Sequence, residues 1–375
     1  MAGGDATLSS VTADRLSRVR SAAAEAGLDA LLVTPGPDLR YLTGYNAIAL
    51  ERLTCLVLPT GADPLLVVPA LERPAAEASP AGALGLEIVD WQETDDPVGL
   101  VTKMLPTARR VAVDDHMWAE KVLRFRAAMP EVEQVVAGPV LRELRMRKSP
   151  EEVDALREAA AAIDRVHARM DEWLRVGRTE REVGRDIADA IIAEGHVRVD
   201  FVIVASGPSG ASPHHENSDR VIEAGDPVVV DIGGTTDLGY CSDETRTYAA
   251  GEPPGEFVEA YEALQRAQEA AVEQVRPGVT AESVDAAARA ILSRAGLGEY
   301  FVHRTGHGIG LETHEEPYIV TGNTRRLEPG MAFSIEPGFY LPGRYGARIE
   351  DIVVTTQAGV ERLNLRPHEL LLLEA

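Results

Sequence analysis

Five acidic or imidazole side chains stand in or next to apolar, strand-like runs in the second half of the chain. They are Asp231, Asp243, His307, Glu336 and Glu350. Asp231 ends an apolar run, and Gly233-Gly234 with Asp237-Leu-Gly239 supply a turn that leads back to Asp243. A hairpin of this kind brings two carboxylates side by side, where both stay ionised only if a divalent cation lies close to them. Each aspartate alone would also fit a turn cap, so the prediction depends on the pairing.

Three histidines, His303, His307 and His314, fall within twelve positions and are interleaved with glycines. Histidine is the commonest metal ligand and general acid or base, and glycine lets the backbone come close to an ion or a substrate. The spacing of seven between His307 and His314 differs from HExxH, in which both histidines lie on one helical face. It therefore predicts presentation from a strand or a loop.

Glu336 and Glu350 each interrupt an apolar strand, where an unpaired carboxylate is costly to bury. A solvent-exposed acidic strand face would explain either glutamate by itself, and an ion pair with Arg348 would explain Glu350. Together, four carboxylates and one imidazole balance the charge of two divalent ions, and this oxygen-rich set suits Mn²⁺, Co²⁺ or Zn²⁺. Two ions bridged by carboxylates lie ~3.5–4 Å apart and share a hydroxide.

The elements that position these residues form a second domain of helices on an antiparallel sheet. Strands are predicted over residues 201–205, 228–232 and 245–249, and short strands and loops after 301. Helices are predicted over residues 151–176, from 179, over 256–275 and over 281–295. The first of these begins at Ser149-Pro150, with Glu152 completing a capping box. We therefore place one domain at residues 1–148 and a second at 149–375.

The first domain alternates short strands with helices, which predicts a small α/β fold with a mixed sheet. Strands are predicted near residues 29–34, 53–58, 64–68, 86–91 and 110–114. It contains no glycine-rich phosphate loop and no His/Asp/Glu cluster. We interpret it as a scaffold, a lid or an oligomer surface.

Composition excludes several functions. The net charge of −23 repels nucleic acid and anionic membranes, so neither is predicted as a partner. No run comes near the ~18 apolar residues of a membrane span, and the first seven residues, MAGGDAT, do not resemble a secretion signal. Cys55 and Cys241 are too few and too far apart to staple a fold or bind zinc. These features predict a cytoplasmic protein.

The ordered motifs VVVDIGG, SDETRT, HRTGHGIGLETHEEP, SIEPG and GARIED resemble those of the pita-bread metallopeptidases, over about residues 201–352. That family includes methionine aminopeptidase, aminopeptidase P, prolidase and the metal-free creatinase. The first domain resembles the creatinase-type domain that methionine aminopeptidases lack. The resemblance implies an α+β fold, a creatinase-type N-terminal α/β domain followed by a pita-bread domain. The likeness is greatest to the bacterial Xaa-Pro dipeptidases, and it implies short proline-containing peptides as substrates and a homodimer.

The resemblance also implies roles for individual residues. The metal ligands would be Asp231 on one ion, Asp243 and Glu350 bridging both, His307 on one and Glu336 on the other. A hydroxide between two ions, with Mn²⁺ foremost and Co²⁺ or Zn²⁺ as alternatives, would attack the scissile carbonyl. The catalytic and substrate-binding residues would be Glu336 as proton shuttle, His314 in the oxyanion hole, His214 at the substrate, His303 at the proline pocket, and Arg348, which holds Glu350 and touches substrate. His215 receives no role beyond that of a loop residue.

One position departs from the pattern of some prolidases. They carry an arginine directly after the HExP-type segment to grip the dipeptide carboxylate, whereas this chain has Tyr318. Arg344 could serve instead, so dipeptidase and aminopeptidase P both stay open. A creatinase-like non-peptidase, a lyase and a binding module that has lost its chemistry are further alternatives. The intact set of five ligands disfavours all three.

Overall fold

A computed structural model describes residues 2–373 of the chain, with side chains from residue 12 onward. It divides into two compact units, Met1–Arg145 and Met146–Ala375. The division falls close to the border predicted at Ser149, although the domain limits 1–148 and 149–375 stay a prediction. Within the described residues no helix has both the length and the apolar character needed to cross a bilayer. Cys55 and Cys241 are buried free thiols, in agreement with the sequence.

The first unit contains a six-stranded mixed sheet in the order β4-β3-β2-β1-β5-β6. Its strands are β1 Ala30–Val33, β2 Cys55–Pro59, β3 Leu65–Pro69, β4 Glu87–Trp91, β5 Arg110–Val113 and β6 Glu133–Val136. Its helices are α1 Ala2–Glu25, α2 Pro37–Thr43, α3 Arg73–Ala78, α4 Pro80–Ala83, α5 Pro97–Lys103, α6 Ala119–Ala128 and α7 Gly138–Arg145. β2 pairs antiparallel with β1 and β3, whereas the other pairs are parallel, which confirms the mixed sheet.

The second unit contains three sheets, ordered β17-β9-β8-β7, β11-β10-β12-β15-β16 and β13-β14. Their strands are β7 His196–Ser206, β8 Pro227–Thr236, β9 Glu244–Ala250, β10 Gly306–Gly308, β11 Glu315–Ile319, β12 Ala332–Ile335, β13 Gly338–Leu341, β14 Tyr345–Arg348, β15 Asp351–Thr355, β16 Val360–Arg362 and β17 Leu371–Leu373. The helices are α8 Pro150–His167, α9 Met170–Trp173, α10 Glu180–Ala193, α11 Gly255–Gln274 and α12 Ala281–Arg294. The predicted antiparallel sheet is confirmed for β7, β8 and β9, to which β17 adds a parallel edge.

The first helix of this unit begins where the sequence predicts but ends earlier. The Ser149 hydroxyl accepts from the amide of Glu152, whose carboxylate accepts from the Ser149 amide, so the capping box is confirmed. The helix predicted over residues 151–176 stops at His167, and a separate short helix follows. Met170, which begins the short helix, and Leu174, which directly follows it, both pack in the core with Val228 and Val230 of β8.

The hairpin of β8 and β9 forms as predicted and reverses at Asp237-Leu-Gly239, but Gly233 and Gly234 are not part of the turn. Gly233 and Gly234 continue strand β8, and the reversal is closed by the Thr236 amide, which donates to the Tyr240 carbonyl at 3.0 Å. A Cβ atom on Gly233 would come within 2.6 Å of the Phe201 ring and of the Ser242 carbonyl oxygen. These glycines therefore serve close packing of three strands and not the turn.

Candidate metal centre

Two acidic doublets, Asp243-Glu244 and Glu350-Asp351, stand at the beginnings of β9 and β15. Successive side chains of a strand point to opposite faces, so each doublet sends one carboxylate to either side. Asp243 and Glu350 meet on one side, where single ligand atoms of both and of His307 lie within 4.8 Å of one another. All three are buried, which makes the group a candidate cation site.

The other member of each doublet lies with a buried cation. Arg246 Nη2 is 2.7 Å from Asp351 Oδ1 and 3.1 Å from Glu244 Oε1, and all three side chains are at most 4% exposed. Asp351 also accepts hydrogen bonds from Gln268 and lies 2.8 Å from His368 Nε2. Arg246 thus offsets the negative charge behind the site, and its contacts with Glu244 and Asp351 join β9 to β15.

His307 is held by the short strand β10 between β11 and β12. A Cβ atom on Gly306 would lie 1.8 Å from the Ser334 carbonyl oxygen, and one on Gly308 would lie 2.2 Å from that of Glu316. Residues with side chains do not fit at either position, which explains the Gly-His-Gly sequence. The amide of His307 donates to Ser334 Oγ at 3.0 Å and fixes the strand next to Glu336.

The imidazole of His307 turns a lone pair toward two carboxylates. Its Nδ1 is 3.1 Å from the Gly308 carbonyl oxygen, which can only accept, so we assign the proton to Nδ1. Nε2 then faces Glu336 Oε1 at 3.2 Å and Asp243 Oδ2 at 3.5 Å. Burial, and next the nearby His314, lower the pKa of His307 well below its usual value. A neutral lone pair facing carboxylates is repulsive unless a proton or a metal ion lies between them, so the donor set fits a metal ion.

The carboxylates of the centre share one electrostatic problem. Burial, followed by the charges of Glu350, Asp231 and Glu336, raises the pKa of Asp243 well above its usual value. Burial, followed by the charges of Glu336 and Asp231, also raises the pKa of Glu350 well above its usual value. Burial raises the pKa of Glu336 to about 7, although Arg348 opposes it. Without cations these acids retain protons near neutral pH, and bound cations would ionise them.

Asp231 pairs with Thr245 across β8 and β9, two residues from Asp243, and binds Arg348 through one oxygen. Arg348 Nη2 forms an ion pair with Asp231 Oδ2, whereas Oδ1 is buried without a hydrogen-bond partner among the described residues. Buried acceptors of this kind are rare unless a ligand satisfies them. The free oxygen of Asp231 is therefore a second indication of a cation.

Arg348 holds Glu350 indirectly, which refines the predicted ion pair. Its Nε donates to Thr245 Oγ1 at 3.0 Å, and the Thr245 hydroxyl donates to Glu350 Oε2 at 2.7 Å. Its direct carboxylate partner is Asp231. Asp243 and Thr245 are two residues apart and so lie on the same strand face. Strand periodicity could therefore have indicated Thr245.

The remaining predicted site residues lie around this centre. The ring of His314 lies 4.1 Å from that of His307, centroid to centroid, at an interplanar angle of 78°. His303 Nε2 is 2.8 Å from the Tyr340 hydroxyl, which also accepts from Arg348 at 2.8 Å. His214 is exposed, and its charge adds to burial in lowering the pKa of both His303 and His314. The roles assigned to these residues from the resemblance stay predictions.

Two contacts of the site had no prediction attached to them. Ser334 donates to Glu336 Oε1 at 3.1 Å and lies two positions before it on the same strand face, so the period of β12 could have indicated it. Tyr340 joins His303 to Arg348, but nothing in the sequence around it distinguishes it from a core tyrosine. Its hydroxyl finds hydrogen-bond partners because the loop that carries His303 and the strand that carries Arg348 meet at this point.

His215, predicted to be a loop residue without a role, is part of a buried network. Its Nε2 lies 2.7 Å from Glu180 Oε2, and Ser206 and Ser218 each donate to the same carboxylate through amide and hydroxyl. Burial alone would raise the pKa of Glu180, but the bonds from Ser218, Ser206 and His215 outweigh it and lower the pKa to about 2. The network ties the segment that carries His214 to the start of α10.

Replacing Glu180 with alanine is expected to lower the free energy of unfolding by about 3 kcal/mol, because it leaves several buried donors unpaired. Denaturant unfolding of the metal-free protein measures this loss. Glu182→Ala, on the same helix turn but exposed, is the matched control and should cost clearly less, because only its cap is lost. Equal losses for the two variants would contradict a special role for the Glu180 network.

Known proteins resemble both parts of the chain. A sequence model described as metallopeptidase family M24 matches residues 154–357, and one described as the creatinase/prolidase N-terminal domain matches residues 15–147. A probable dipeptidase PepE of Mycobacterium tuberculosis is 58% identical over 362 residues, which are 96% of each chain. An Xaa-Pro dipeptidase of Lactobacillus delbrueckii is 36% identical over 95% of this chain and 98% of its own. The crystal structure of a prolidase from Thermococcus sibiricus superposes with a TM-score of 0.90 at 40% identity, covering 96% of this chain and 98% of that one.

Proposed function

The chain belongs to metallopeptidase family M24, and from that premise we propose that it is an Xaa-Pro dipeptidase, which hydrolyses the bond before proline in short peptides. The same matches confirm the predicted α+β architecture, a creatinase-type N-terminal α/β domain followed by a pita-bread domain. The observation that carries the proposal is the buried convergence of Asp243, His307 and Glu350 on one point. Relatives that cover almost the whole chain are named Xaa-Pro dipeptidase and prolidase, which supports this substrate class.

The centre would hold two divalent ions. We propose as their ligands Asp231, Asp243, His307, Glu336 and Glu350. Bound ions of this kind supply an activated water at neutral pH and stabilise negative charge on the substrate. The orphan oxygen of Asp231 and the lone pair of His307 support the assignment, because a bound cation would satisfy both.

Glu336 is proposed as the proton shuttle. Its side chain is 14% exposed, more than those of the other buried ligand candidates, so it borders the space from which substrate arrives. The nitrogen of a scissile Xaa-Pro bond leaves only after it is protonated, and a carboxylate beside that bond can take up a proton and pass it to the nitrogen. The hydrogen bond from Ser334 orients Oε1 for this exchange.

Histidines would contact the rest of the substrate. We propose that His314, stacked edge-on against His307, donates to the oxygen of the tetrahedral intermediate, and that His214 contacts the substrate from its exposed segment. His303 would line the proline pocket, since its ring is fixed by Tyr340 and by the edge of Phe301. Arg348 is 3% exposed and already bound to Asp231, so we assign it chiefly to positioning.

The nearest alternative is an Xaa-Pro aminopeptidase that acts on longer peptides. A creatinase-like hydrolase, a lyase and a binding module are disfavoured by a complete cluster of ionisable ligands in a buried site. To test the proposal, metal is removed with a chelator, Mn²⁺, Co²⁺ or Zn²⁺ is restored, and cleavage of Ala-Pro, Ala-Pro-Gly and Ala-Ala is followed. We expect metal-dependent cleavage of Ala-Pro above all. Failure of every reloaded form to cleave any proline peptide would refute the proposal, and equal rates on Ala-Pro-Gly would favour the aminopeptidase.

Three finer properties complete the proposal. We propose Mn²⁺ as the preferred ion, a homodimer as the assembly and the cytoplasm as the location, as the family resemblance and the composition imply. Metal analysis of protein purified without added metal tests the first. Sedimentation velocity and cell fractionation test the other two.

A further inference from the structure

The position after the HEEP segment bears on how this site treats the far end of a substrate. It is occupied by Tyr318, within β11, and the guanidinium carbon of Arg304 lies 4.5 Å from the centroid of the Tyr318 ring. A guanidinium over an aromatic face is held by cation–π attraction while its N–H groups at the edge stay available. The pair therefore places a cation next to the position where some relatives would place an arginine.

Arg304 has no ion pair within residues 12–373. The arginines near it are committed elsewhere, since Arg348 binds Asp231 and Arg289 binds Asp285. Its side chain is only part-buried, so its donors are open to a ligand. A cation that is positioned by stacking but lacks a carboxylate partner is suited to an anionic group that arrives from outside.

The charge of Arg304 acts on the metal centre. Burial has the largest effect on three nearby groups: it raises the pKa of Glu336 and lowers those of His307 and His314. The charge of Arg304 lowers the pKa of all three. His314 feels Arg304 as its largest charge effect after burial. Arg304 stands three residues before His307, and Gly306 of β10 pairs with Ile319, the residue after Tyr318, so the stacked pair lies at the end of the strands that hold His307.

We propose that Arg304, positioned by the ring of Tyr318, binds the C-terminal carboxylate of a dipeptide substrate and so makes the enzyme select dipeptides. The proposal rests on the function proposed above and deepens it. A guanidinium can meet a carboxylate with two parallel hydrogen bonds, which recognise both its charge and its planar shape. A peptide extended beyond proline has an amide at this position, and it would leave the cation unpaired.

Arg344, the candidate that the sequence offered for this role, is occupied. It forms an ion pair with Glu256 and stacks over Tyr345, and its side chain is 47% exposed. It is therefore a suitable control, since it is an arginine of the same unit with an aromatic neighbour but with its charge already paired.

The test compares Ala-Pro with Ala-Pro-amide, which differ only in the terminal charge, on the metal-loaded protein. The wild type is expected to prefer the free acid strongly. R304Q should lower kcat/KM for Ala-Pro about 10–100-fold, mainly through KM, the effect of one lost charge-assisted pair, and should leave the amide within about threefold. R344Q should preserve the preference of the wild type. Tyr318→Phe should keep it as well, whereas Tyr318→Leu should weaken it, because the ring and not the hydroxyl positions Arg304.

Product inhibition provides a second test that needs no variant. Free proline should inhibit the wild type at least tenfold more strongly than prolinamide, by the same charge argument. Equal inhibition, equal rates on the acid and the amide, or a uniform loss on both substrates in R304Q would each overturn the role of Arg304 while leaving the peptidase function intact. An enzyme that cleaves no proline peptide at all would instead overturn the function itself.

Discussion

Asp243→Asn is expected to abolish turnover and, at the same time, to stabilise the metal-free protein. Asp243 is buried among other carboxylates, and burial together with Glu350, Asp231 and Glu336 raises its pKa. An amide in its place removes one negative charge from this cluster but also one metal ligand. We expect kcat/KM for Ala-Pro to fall by at least about 10³-fold, the scale of effect found when preorganised catalytic charge is removed.

The stabilisation follows from the same charge. At pH 8 the buried carboxylates of the metal-free wild type are either ionised close to one another or protonated at a pH at which free carboxyl groups are ionised. Both states cost free energy. Removing one of these groups should raise the free energy of unfolding by about 1–2 kcal/mol, the equivalent of about one pKa unit or slightly more. Metal should then stabilise the variant far less than the wild type, for which a hundredfold excess over Kd is worth about 2.7 kcal/mol.

Thermal unfolding with and without Mn²⁺ measures both effects in one experiment, alongside the assay of Ala-Pro. Asp219→Asn is the matched control, because it removes the same charge from an exposed aspartate of the same unit, 82% exposed and paired with Arg181. It should retain activity and the full response to metal. A variant D243N that is less stable than the metal-free wild type would indicate a structural aspartate and contradict the ligand assignment.

Much of the architecture followed from patterns in the sequence because the relevant interactions are local. The capping box at Ser149 and the helices α11 and α12 depend on contacts within one or two turns. The hairpin that brings Asp231 toward Asp243 needs only two adjacent strands and a short connection. Even so, Gly233 and Gly234 were assigned to the turn. The contacts that require a glycine at position 233 come from Phe201 of β7 and from Ser242 just before β9, and these are not visible in the local sequence.

The ligand set itself was predictable for a chemical reason. Carboxylates in apolar strands are costly, so their presence indicates a compensating charge even before any contact is known. What the sequence left open was which charge compensates which group. Glu244 and Asp351 look like Asp243 and Glu350 along the chain, and only the alternation of β9 and β15 assigns the first two to Arg246 and the others to the centre.

Contacts between distant segments were beyond the sequence. Glu180 joins His215 across thirty-five positions, and Tyr340 joins His303 across thirty-seven. Arg304 and Tyr318 stack because β10 and β11 run side by side, although neither residue alone signals a role. Such pairs have no local period or spacing, so they emerge only when the sheet order is known.

The stability of the metal-free protein is expected to fall between about pH 6.5 and 8.5, and bound metal is expected to remove this fall. Burial raises the pKa of Glu336 to about 7, and the pKa values of Asp243 and Glu350 are raised well above their usual range. In this window the unfolded chain is already ionised at these groups, whereas the metal-free native state still holds protons on them. The native state therefore binds more protons, and its stability falls as pH rises.

Histidines set the lower limit of that window. Burial lowers the pKa of His303 to about 4 and that of His167 to about 3, so the native state keeps both neutral where the unfolded chain protonates them. Their effect makes stability rise with pH, but it fades over about one pH unit above 6.5, the usual pKa of histidine. The stability of the metal-free protein should therefore pass through a maximum near that pH and decline above it.

Bound metal removes this fall because it keeps the same carboxylates ionised in the native state, as they already are in the unfolded chain. Protons then compete with the ions, so apparent metal affinity should rise up to about tenfold per pH unit for each proton displaced. Denaturant unfolding at pH 6.5, 7.5 and 8.5, with and without Mn²⁺, measures both slopes, and we expect the free energy of unfolding of the metal-free protein to fall steadily across this range. D243N, which has one titrating group fewer, should flatten the metal-free slope. Parallel slopes for the two wild-type forms would mean that these carboxylates do not bind the metal. A fall in stability that metal abolishes and that D243N reduces would link the crowded acids, their protons and the ions in a single equilibrium.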